Sequence, residues 1–285
     1  MNINHSGILY IVATPIGNLK DITQRAIETL QNVNCIAAED TRHSQHLLQY
    51  LGISVPLIPL HEHNEVQRVP KLIDRLQRGE SIALVSDAGT PLISDPGYIL
   101  VRQVRKAGFQ VVSVPGPCAA IAALSVAGLP TDRFVFEGFL PAKPALRKER
   151  LALLRFEPRT IIFYEAPHRL RDSLQSMQEI LGHGRQMVLA RELTKLFETV
   201  KSGTIEEIIA WVAQDNNQQR GEIVLLVEGV KVASTLDSVI SHDKILTYLL
   251  EVLPLAQATE MTAKITGRRR NDLYQRALQL KSKSS

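Results

Sequence analysis

Residues 84–98 read LVSDAGTPLISDPGY, with two glycines, two prolines and two aspartates directly after an apolar run. An ordinary surface turn needs only one or two such residues, because one glycine or proline is enough to redirect the chain. Glycine lets a ligand approach the backbone closely, while proline fixes the loop and removes a hydrogen-bond donor. The stretch is therefore interpreted either as two consecutive turns or as a loop that wraps a ligand.

The sequence around this stretch alternates between strand and helix patterns. Amphipathic helices separate five apolar strand runs, which are predicted at 8–14, 35–40, 55–61, 81–86 and 109–116. Near-continuous apolar strands separated by helices are typical of a parallel sheet covered on both faces. Ligands bind outside the carboxyl ends of the strands in such sheets. The stretch 84–98 follows the fourth predicted strand, so it lies at the edge where a ligand is expected.

The pattern changes after residue 117. A small apolar segment and a linker containing DRFVFEGFLPAKPALRKER lead to strand runs at 160–166, 186–194, 197–203 and 221–229. The third of these runs follows the second after a very short link, which indicates a sheet that is at least partly antiparallel. The basic tail resembles a small helix–turn–helix element centred on Gly267.

These patterns predict an α/β protein with two α/β domains and a cofactor cleft between them. The N-terminal domain, 1–117, is expected to hold a mostly parallel five-stranded sheet. The C-terminal domain, 118–232, includes the linker and a mixed sheet. A small basic helical extension occupies 233–285.

The composition limits the classes of protein that fit the chain. Of its 285 residues, 45% are hydrophobic and 22% are charged, which is typical of a globular protein. The formal net charge of +4 is compatible with an anionic partner without requiring one. Cys35 and Cys118 are isolated, so neither a disulfide framework nor a zinc knuckle is indicated. The polar N-terminus and the absence of a long apolar run predict a cytoplasmic protein.

Several common site motifs are absent from the sequence. There is no GxxxxGK[ST], no GxGxxG after the first strand, no GxSxG and no HExxH. A P-loop nucleotidase, an ordinary dinucleotide fold, an α/β-hydrolase and a zinc protease are therefore disfavoured. His61 and His63 are close enough to bind a metal, but no carboxylate–histidine set accompanies them, which favours a loop or capping role. No metal site is predicted.

Seven segments occur in the order in which a known family carries them, namely TPIGNLKDIT, AAEDTR, VSDAGTPLISDPGY, VPGPCAAIAALSVAGLP, FLPAK, FYEAPHRL and ARELTK. Over about residues 8–280 the chain resembles the 16S rRNA cytidine 2′-O-methyltransferases, the ribosomal branch of the tetrapyrrole (precorrin-type) methylase superfamily. The tetrapyrrole enzymes usually carry a glycine-rich, acidic loop in place of TPIGN. The resemblance implies that S-adenosyl-L-methionine binds in the cleft between the domains, usually in a homodimer.

The resemblance also implies which residues contact the cofactor. They lie on the strand-end loops and are Pro15, Asp87, Ala88, Gly89, Thr90, Ile93, Cys118, Ala119, Glu165 and Leu193. Glu165 stands where some relatives have an apolar residue, so two roles stay open for it. Its carboxylate either faces the sulfonium of the cofactor or pairs with His168 or Arg169.

Methyl transfer from a sulfonium is an in-line displacement, so positioning supplies much of the rate. A protonated ribose hydroxyl is a weak nucleophile, and a general base or a cationic group would assist it. The candidate catalytic residues at the cleft are Glu39, Asp40, Asp95, His168 and Lys195. Glu39 and Asp40 fit equally well as caps of the following helix, and His168 fits a helix start after Pro167. Arg191 and Lys195 are also compatible with bridges to carboxylates.

Basic side chains are candidates for RNA contact. One cluster on the linker contains Lys143, Arg147, Lys148 and Arg150, a second near the C-terminus contains Lys264, Arg268, Arg269 and Arg270, and Arg42 stands alone. Phosphate contacts by such residues give affinity and salt dependence rather than sequence choice. A solvated helix face is the alternative for each cluster.

The expected function is S-adenosylmethionine-dependent 2′-O-methylation of a cytidine ribose in the 16S rRNA of the small ribosomal subunit. The family implies a target in the decoding region. One alternative is a tetrapyrrole C-methyltransferase, which the basic C-terminal extension and the TPIGN loop disfavour. The other alternative is a non-catalytic RNA-binding ribosome-assembly protein of the same fold.

Overall fold

The structure is a computed structural model that describes residues 7–230 and 242–283. The chain divides into two compact units, one of Met1–Arg155 with Arg159–Glu228 and one of Phe156–Pro158 with Gly229–Ser285. The predicted domain boundary between residues 232 and 233 lies outside the described residues, as do residues 1–6 of the polar N-terminus. None of the described helices is long and apolar enough to cross a membrane.

The first sheet consists of five strands in the order β3-β2-β4-β1-β5, and every pairing in it is parallel. The strands are β1 (Ile8–Val12), β2 (Cys35–Ala38), β3 (Leu57–Pro59), β4 (Ile82–Val85) and β5 (Gln110–Val114). The predicted parallel five-stranded sheet is thereby confirmed. Every residue of β2 and β4 is buried, which explains why these strands have continuous apolar sequences.

Four helices cover the two faces of this sheet, namely α1 (Gln24–Asn32), α2 (Thr41–Tyr50), α3 (Glu65–Gln77) and α4 (Tyr98–Lys106). Alternate residues of each strand point to opposite faces. Ile82 accordingly packs in one core with Leu72 of α3, and its neighbour Ala83 packs in the other core with Leu30 of α1.

The second sheet follows α5 (Ala119–Val126) and has the strand order β6-β7-β10-β8-β9. Its strands are β6 (Phe134–Phe139), β7 (Thr160–Glu165), β8 (Gln186–Arg191), β9 (Thr199–Thr204) and β10 (Ile223–Val227). β6 and β7 are parallel and the other pairings are antiparallel, so the predicted mixed sheet is confirmed.

The segment predicted as a linker contains two regular elements that the sequence analysis missed. β6 is an edge strand whose register shifts between Phe136 and Gly138, where Gly138 has a φ of 65°. The bulge interrupts the alternation by which a strand is recognised in a sequence. The basic part of the segment is α6 (Pro144–Leu153), a helix that begins at a proline.

Helices cover both faces of the second sheet. α6, α7 (Leu170–Leu181) and α8 (Ile205–Gln214) pack on one face, in a core that contains Phe163 and Leu225. α5 packs on the other face, in a cluster with Ile162 and Leu226 that also includes Ile16 from the loop after β1. The loop after β1 therefore reaches the second sheet.

The second unit contains α9 (His242–Val252), α10 (Leu255–Thr266) and α11 (Arg270–Lys283). Gly267 caps α10 with a left-handed φ of 70°, as expected for a glycine that ends a helix. Leu246, Ala258 and Ala277 form the core of these helices. The predicted helix–turn–helix element centred on Gly267 is present.

Candidate functional site between the two sheets

Three loops of the first sheet form one continuous wall, because β4, β1 and β5 are neighbours and their carboxyl ends meet. Thr14 and Gly89 exchange two backbone hydrogen bonds, with N···O distances of 2.9 and 3.1 Å. The Thr90 hydroxyl donates to the carbonyl of Pro117 at 2.9 Å. These bonds join the loops after β1, β4 and β5.

The stretch 84–98 has an unusual backbone, and this explains its many glycines and prolines. Gly89 has a φ of +83°, and a Cβ on it would lie 3.3 Å from Cγ2 of Ile16. Leu92 and Ser94 also adopt left-handed φ values, 73° and 71°, which non-glycine residues rarely do. Such conformations persist where the surrounding structure holds them, often at ligand sites. The stretch is therefore a shaped wall rather than two ordinary turns.

The second sheet supplies the opposite wall. β10 runs antiparallel between β7 and β8, so its first residues lie beside the last residues of both neighbours. Glu165 at the end of β7 therefore pairs with Ile223 at the start of β10, and Ile223 also pairs with Arg191 at the end of β8. This edge of the second sheet faces the three loops of the first.

A cavity of about 370 Å³ lies between the two walls, within the size range of small-molecule sites. Eight of the predicted cofactor residues line it, namely Ala88, Gly89, Thr90, Ile93, Cys118, Ala119, Glu165 and Leu193. The predicted base Asp95 lines it too. The other two predicted cofactor residues, Pro15 and Asp87, line a second cavity of about 280 Å³.

Glu165 combines deep burial with an unsatisfied oxygen. Its side chain is 1% exposed, and its Oε1 accepts a hydrogen bond from the Ala166 amide at 2.8 Å and lies 3.5 Å from Nε of Arg169. Its Oε2 is buried without a hydrogen-bond partner among the described residues. A buried carboxylate oxygen without a partner is costly, so this oxygen is suited to accept a hydrogen bond from a ligand. The pairing with Arg169 is observed, whereas His168 is exposed and lines neither cavity.

Comparison with known proteins shows the family. Residues 8–209 match the family of tetrapyrrole (corrin/porphyrin) methylases, and residues 237–281 match the RsmI C-terminal HTH domain. The chain belongs to the tetrapyrrole methylase family. It is therefore a methyltransferase, and the cavity between the sheets is the candidate site for the methyl donor.

The relatives of this methylase cover nearly its whole length. A protein named Ribosomal RNA small subunit methyltransferase I from Pseudomonas aeruginosa is 56% identical over 280 residues, which cover 98% of this chain and 99% of the relative. A protein of the same name from Escherichia coli O157:H7 is 55% identical over 276 residues, covering 97% of this chain and 96% of the relative.

Solved structures of lower identity share the fold of this methylase. Diphthine synthase superposes with a TM-score of 0.59 at 12% identity, covering 78% of this chain and 90% of that one. Uroporphyrin-III-C-methyltransferase from Thermus thermophilus gives a TM-score of 0.54 at 22% identity, covering 78% and 94%.

Three carboxylates of the methylase influence one another beside the cavity. Burial raises the pKa of Asp95 to about 6, with the nearby Asp87 adding to the rise and a hydrogen bond from Ser86 opposing it. Burial, followed by Asp87 and Asp95, also raises the pKa of Glu39. The Asp40 amide donates to Oδ1 of Asp87 at 3.0 Å, which attaches the loop after β2 to this group. Asp95 is the one of the three that lines the cavity of about 370 Å³.

The pKa of Asp95 leads to a prediction about stability. Because the folded protein raises this pKa from 3.8 to about 6, ionisation of Asp95 weakens folding as the pH rises through that window. Asp95→Asn removes the charge, so it is expected to raise the melting temperature by about 2–4 °C at pH 8 and by less at pH 5. The control is Asp132→Asn, whose side chain is 79% exposed. Thermal unfolding at both pH values measures the melting temperatures. A rise in melting temperature that is larger at pH 5 than at pH 8 would contradict the prediction.

The Asp40 side chain serves the helix rather than the cavity. Its Oδ1 accepts a hydrogen bond from the Arg42 amide at 2.9 Å, which caps α2. Its other oxygen lies 3.4 Å from the Arg42 guanidinium. Neither Asp40 nor Glu39 lines one of the two cavities. The capping role that the sequence left open is therefore observed for Asp40.

The loop after β8 is held in a second unusual conformation. Glu192 and Thr194 have left-handed φ values of 53° and 67°. The Lys195 ammonium lies 2.9 Å from Oε1 of Glu192 and 3.4 Å from Oε2 of Glu222. Burial alone would lower the pKa of Lys195, but these two carboxylates raise it. Lys195 is therefore held as a cation on the wall of the second cavity.

Arg191, at the end of β8, has a structural role in the same loop. Its guanidinium donates to the carbonyl of Phe197 at 3.1 Å and to the carbonyl of Arg220 at 3.4 Å. It also donates to the Thr199 hydroxyl at 3.3 Å, so these bonds go to two carbonyls and a hydroxyl rather than to the carboxylates that the sequence left open.

Some residues of the site escaped the sequence analysis. Tyr164 lines the cavity, its hydroxyl accepts a hydrogen bond from the Ala120 amide at 3.2 Å, and burial raises its pKa. Phe139 lines the cavity as well and contacts the Tyr164 ring edge-on at 5.7 Å. The segment Gly221–Val224 lies in the wall because β10 is antiparallel, which only the sheet order reveals.

The predicted basic clusters differ in their exposure. Arg147 is 3% exposed, and its guanidinium donates to the Ser176 hydroxyl at 3.0 Å and to the carbonyl of Ala142 at 3.3 Å. It stabilises the packing of α6 on α7, so the expectation of a surface role does not hold for this residue. Lys143 is exposed, and Lys148 pairs with Glu179.

The remaining RNA candidates lie on the surface. The Arg42 side chain is 90% exposed. Lys264 pairs with Glu260 at 3.0 Å, and Arg268, Arg269 and Arg270 are exposed around the turn between α10 and α11.

The histidine pair and the two cysteines form no metal site in the described part of the chain. The His61 amide donates to Oδ1 of Asn64 at 3.0 Å, which fits the expected role in a turn. Across residues 7–230 and 242–283, no three His, Cys, Asp or Glu side chains are placed to hold a metal ion. Cys35 and Cys118 are both free thiols.

Proposed function

We propose that this methylase transfers a methyl group from S-adenosylmethionine to the ribose 2′-hydroxyl of a cytidine in the 16S rRNA of the small ribosomal subunit, in the decoding region. The observation that carries the proposal is the identity of 56% and 55%, over nearly the whole chain, to two proteins named Ribosomal RNA small subunit methyltransferase I. The segments TPIGNL and SDAGTPLISDPG, which resemble the ribosomal branch of the family, support the same substrate.

The residues of the first cavity fit S-adenosylmethionine. Its wall around Gly89 consists of backbone and small side chains, and a larger residue at position 89 would fill part of the cavity. Oε2 of Glu165 offers an acceptor for one of the N–H or O–H groups of the cofactor. When bound, the cofactor supplies an electrophilic methyl carbon, and the residues around it orient the group and exclude water.

Asp95 is the proposed general base. It lines the cavity, and its pKa of about 6 leaves it ionised at neutral pH yet more basic than an ordinary aspartate. General bases work best when their pKa lies near the working pH. Glu39, Asp40 and His168 line neither cavity and are less suited to this role. Lys195 is proposed as a positioning residue.

The exposed basic residues are proposed to contact RNA phosphates. They are Arg42, Lys143, Arg150, Lys264, Arg268, Arg269 and Arg270, and the partly exposed Lys148 is included with them. The affinity for RNA is expected to fall as the salt concentration rises, and each phosphate contact that forms makes this fall steeper. In this proposal, 1–117 and 118–232 are the domains that enclose the cofactor, and 233–285 is a basic extension for RNA.

The setting of the reaction is also a proposal. A ribosomal substrate implies that the protein works in the cytoplasm. The homodimer expected from the resemblance stays a prediction, which analytical ultracentrifugation tests.

The test of the proposed function is mass spectrometry of 16S rRNA from a strain that lacks the gene. We expect one 2′-O-methylcytidine to disappear and to return on complementation with the wild-type gene. An unchanged methylation pattern would contradict the proposal. If the protein were a non-catalytic assembly factor, a variant with a blocked cofactor cavity would still restore the modification.

A further inference from the structure

The second cavity, of about 280 Å³, adjoins the first, and Ile16, Ala88 and Glu222 line both. Its remaining walls come from the loop after β1, from α2 and from Lys195. We propose that this cavity takes the acceptor nucleotide, turned out of its RNA strand, with the ribose hydroxyl at the wall that the two cavities share. The inference rests on the proposed function and adds the place where the substrate binds.

A polar side chain of α2 lines this cavity. Ser44 is 5% exposed and is one of the lining residues. It sits one helical turn from Leu47, which also lines the cavity. A serine hydroxyl can donate one hydrogen bond and accept others, so Ser44 can bind a polar group of a ligand.

The chemistry of the walls suits a nucleoside. Leu19 and Leu47 offer apolar surface for the face of a base, while Ser44 and His43 offer polar groups for its edge. Enzymes that modify a nucleotide commonly extrude it into such a pocket, where it contacts apolar side chains and forms hydrogen bonds.

The two sheets close the cavity from opposite sides. A Cβ on Gly17, in the loop after β1, would lie 2.5 Å from Cγ of Lys195, so backbone and lysine stem are in direct contact. Glu192 and Glu222 hold the ammonium of Lys195. The second cavity thus has a fixed wall on the side of the second sheet.

The shared wall fits the geometry of the reaction. In an in-line displacement, the acceptor oxygen forms its bond to the methyl carbon on the side opposite the sulfur, while the carbon–sulfur bond breaks and its electron pair stays on sulfur. The hydroxyl proton passes to Asp95, which lines the first cavity, and Ser86, which lowers the pKa of that carboxyl, lines the second. Two adjoining cavities place the reactants on the two sides that this path requires.

The test fills the second cavity with Leu47→Trp. We expect kcat/KM for methylation of small subunits to fall by about 100-fold, since misplaced reactants lose that much rate. The dissociation constant of S-adenosylhomocysteine, measured by calorimetry, is expected to change by less than about twofold. Gln49→Trp is the matched control, because Gln49 is exposed on the same helix, and both quantities should stay at wild-type values.

A fluorescence measurement separates acceptor binding from catalysis. An RNA fragment that carries pyrrolocytosine at the target position should brighten when wild-type protein extrudes the base, and should not brighten with Leu47→Trp. Ser44→Val, a smaller change, provides a second variant if the tryptophan prevents folding, and it should reduce both signals in the same direction.

Two results would overturn the inference while the proposed function stands. Loss of S-adenosylhomocysteine binding in Leu47→Trp would mean that the second cavity belongs to the cofactor. Full methylation by a folded Leu47→Trp would place the acceptor elsewhere. Failure of the wild-type protein to methylate small subunits would instead contradict the proposed function itself.

Discussion

Asp95→Asn is expected to reduce the rate of methyl transfer by about 10²–10⁴-fold, the usual contribution of a general base. The amide has nearly the shape of the carboxylate but cannot accept the proton of the ribose hydroxyl. Because Asp95 is not the proposed anchor of the cofactor, binding of S-adenosylhomocysteine should change by no more than about threefold. Single-turnover assays with saturating small subunits measure the rate, and calorimetry measures the binding.

The pH profile tests the same role in a second way. The base acts only when ionised, so the wild-type rate should rise with pH and level off above the pKa of Asp95, about 6. Asp87 adds to the rise in the pKa of Asp95, and Asp95 in turn raises the pKa of Glu39, so the charges of these two acids influence the inflection. The residual activity of Asp95→Asn should lack the inflection, whereas Asp132→Asn should keep it. An unchanged rate, or an inflection near pH 6 in the Asn variant, would remove Asp95 from the mechanism.

Gly89→Leu is expected to weaken the binding of S-adenosylhomocysteine by about 100-fold, equivalent to about 2.7 kcal/mol. Gly89 has a φ of +83°, and a Cβ on it would lie 3.3 Å from Cγ2 of Ile16 and 3.7 Å from the carbonyl oxygen of Pro117, so any longer side chain meets these groups. A leucine there must either push these groups apart or enter the cavity. Both outcomes reduce the space for the cofactor.

Gly108→Leu is the matched control for the backbone cost of this change. Gly108 has a φ of +84°, and a Cβ added to it would meet no atom within 4 Å apart from its own neighbours in the chain. It follows the end of α4, away from the cavity, so the variant should lose a similar amount of stability and bind the ligand normally. Equal effects of both substitutions on ligand binding would show that the glycine matters for folding alone.

The first sheet was predictable because its strands are buried on both faces. β2 and β4 have no exposed residue, so their sequences are continuous apolar runs that indicate a parallel sheet. The position of 84–98 after β4 then led to the correct wall of the cavity. The functions of the residues in that wall stay predictions.

Other features depend on neighbours that are distant in the sequence. β6 was missed because the bulge at Gly138 breaks its alternation and because it is an edge strand. Gly221–Val224 enters the site only through the antiparallel placement of β10. The pKa of Asp95 depends on burial and on Asp87, which a linear pattern does not show.

The burial of Arg147 could have been predicted from its position in the sequence. It lies four residues before the buried Leu151 on α6, so both face the same core. The bonds of its guanidinium to Ser176 and Ala142 satisfy a donor that is buried within the fold.

The most direct test of the proposed function is methyl transfer by the purified protein. Small subunits from a strain that lacks the gene are incubated with S-adenosylmethionine carrying a labelled methyl group, and the rRNA is digested to nucleosides for mass spectrometry. We expect the label to be recovered in 2′-O-methylcytidine from 16S rRNA, in proportion to the subunits present. Recovery of the label on a base, or no transfer to subunits or to naked 16S rRNA, would contradict the proposed function.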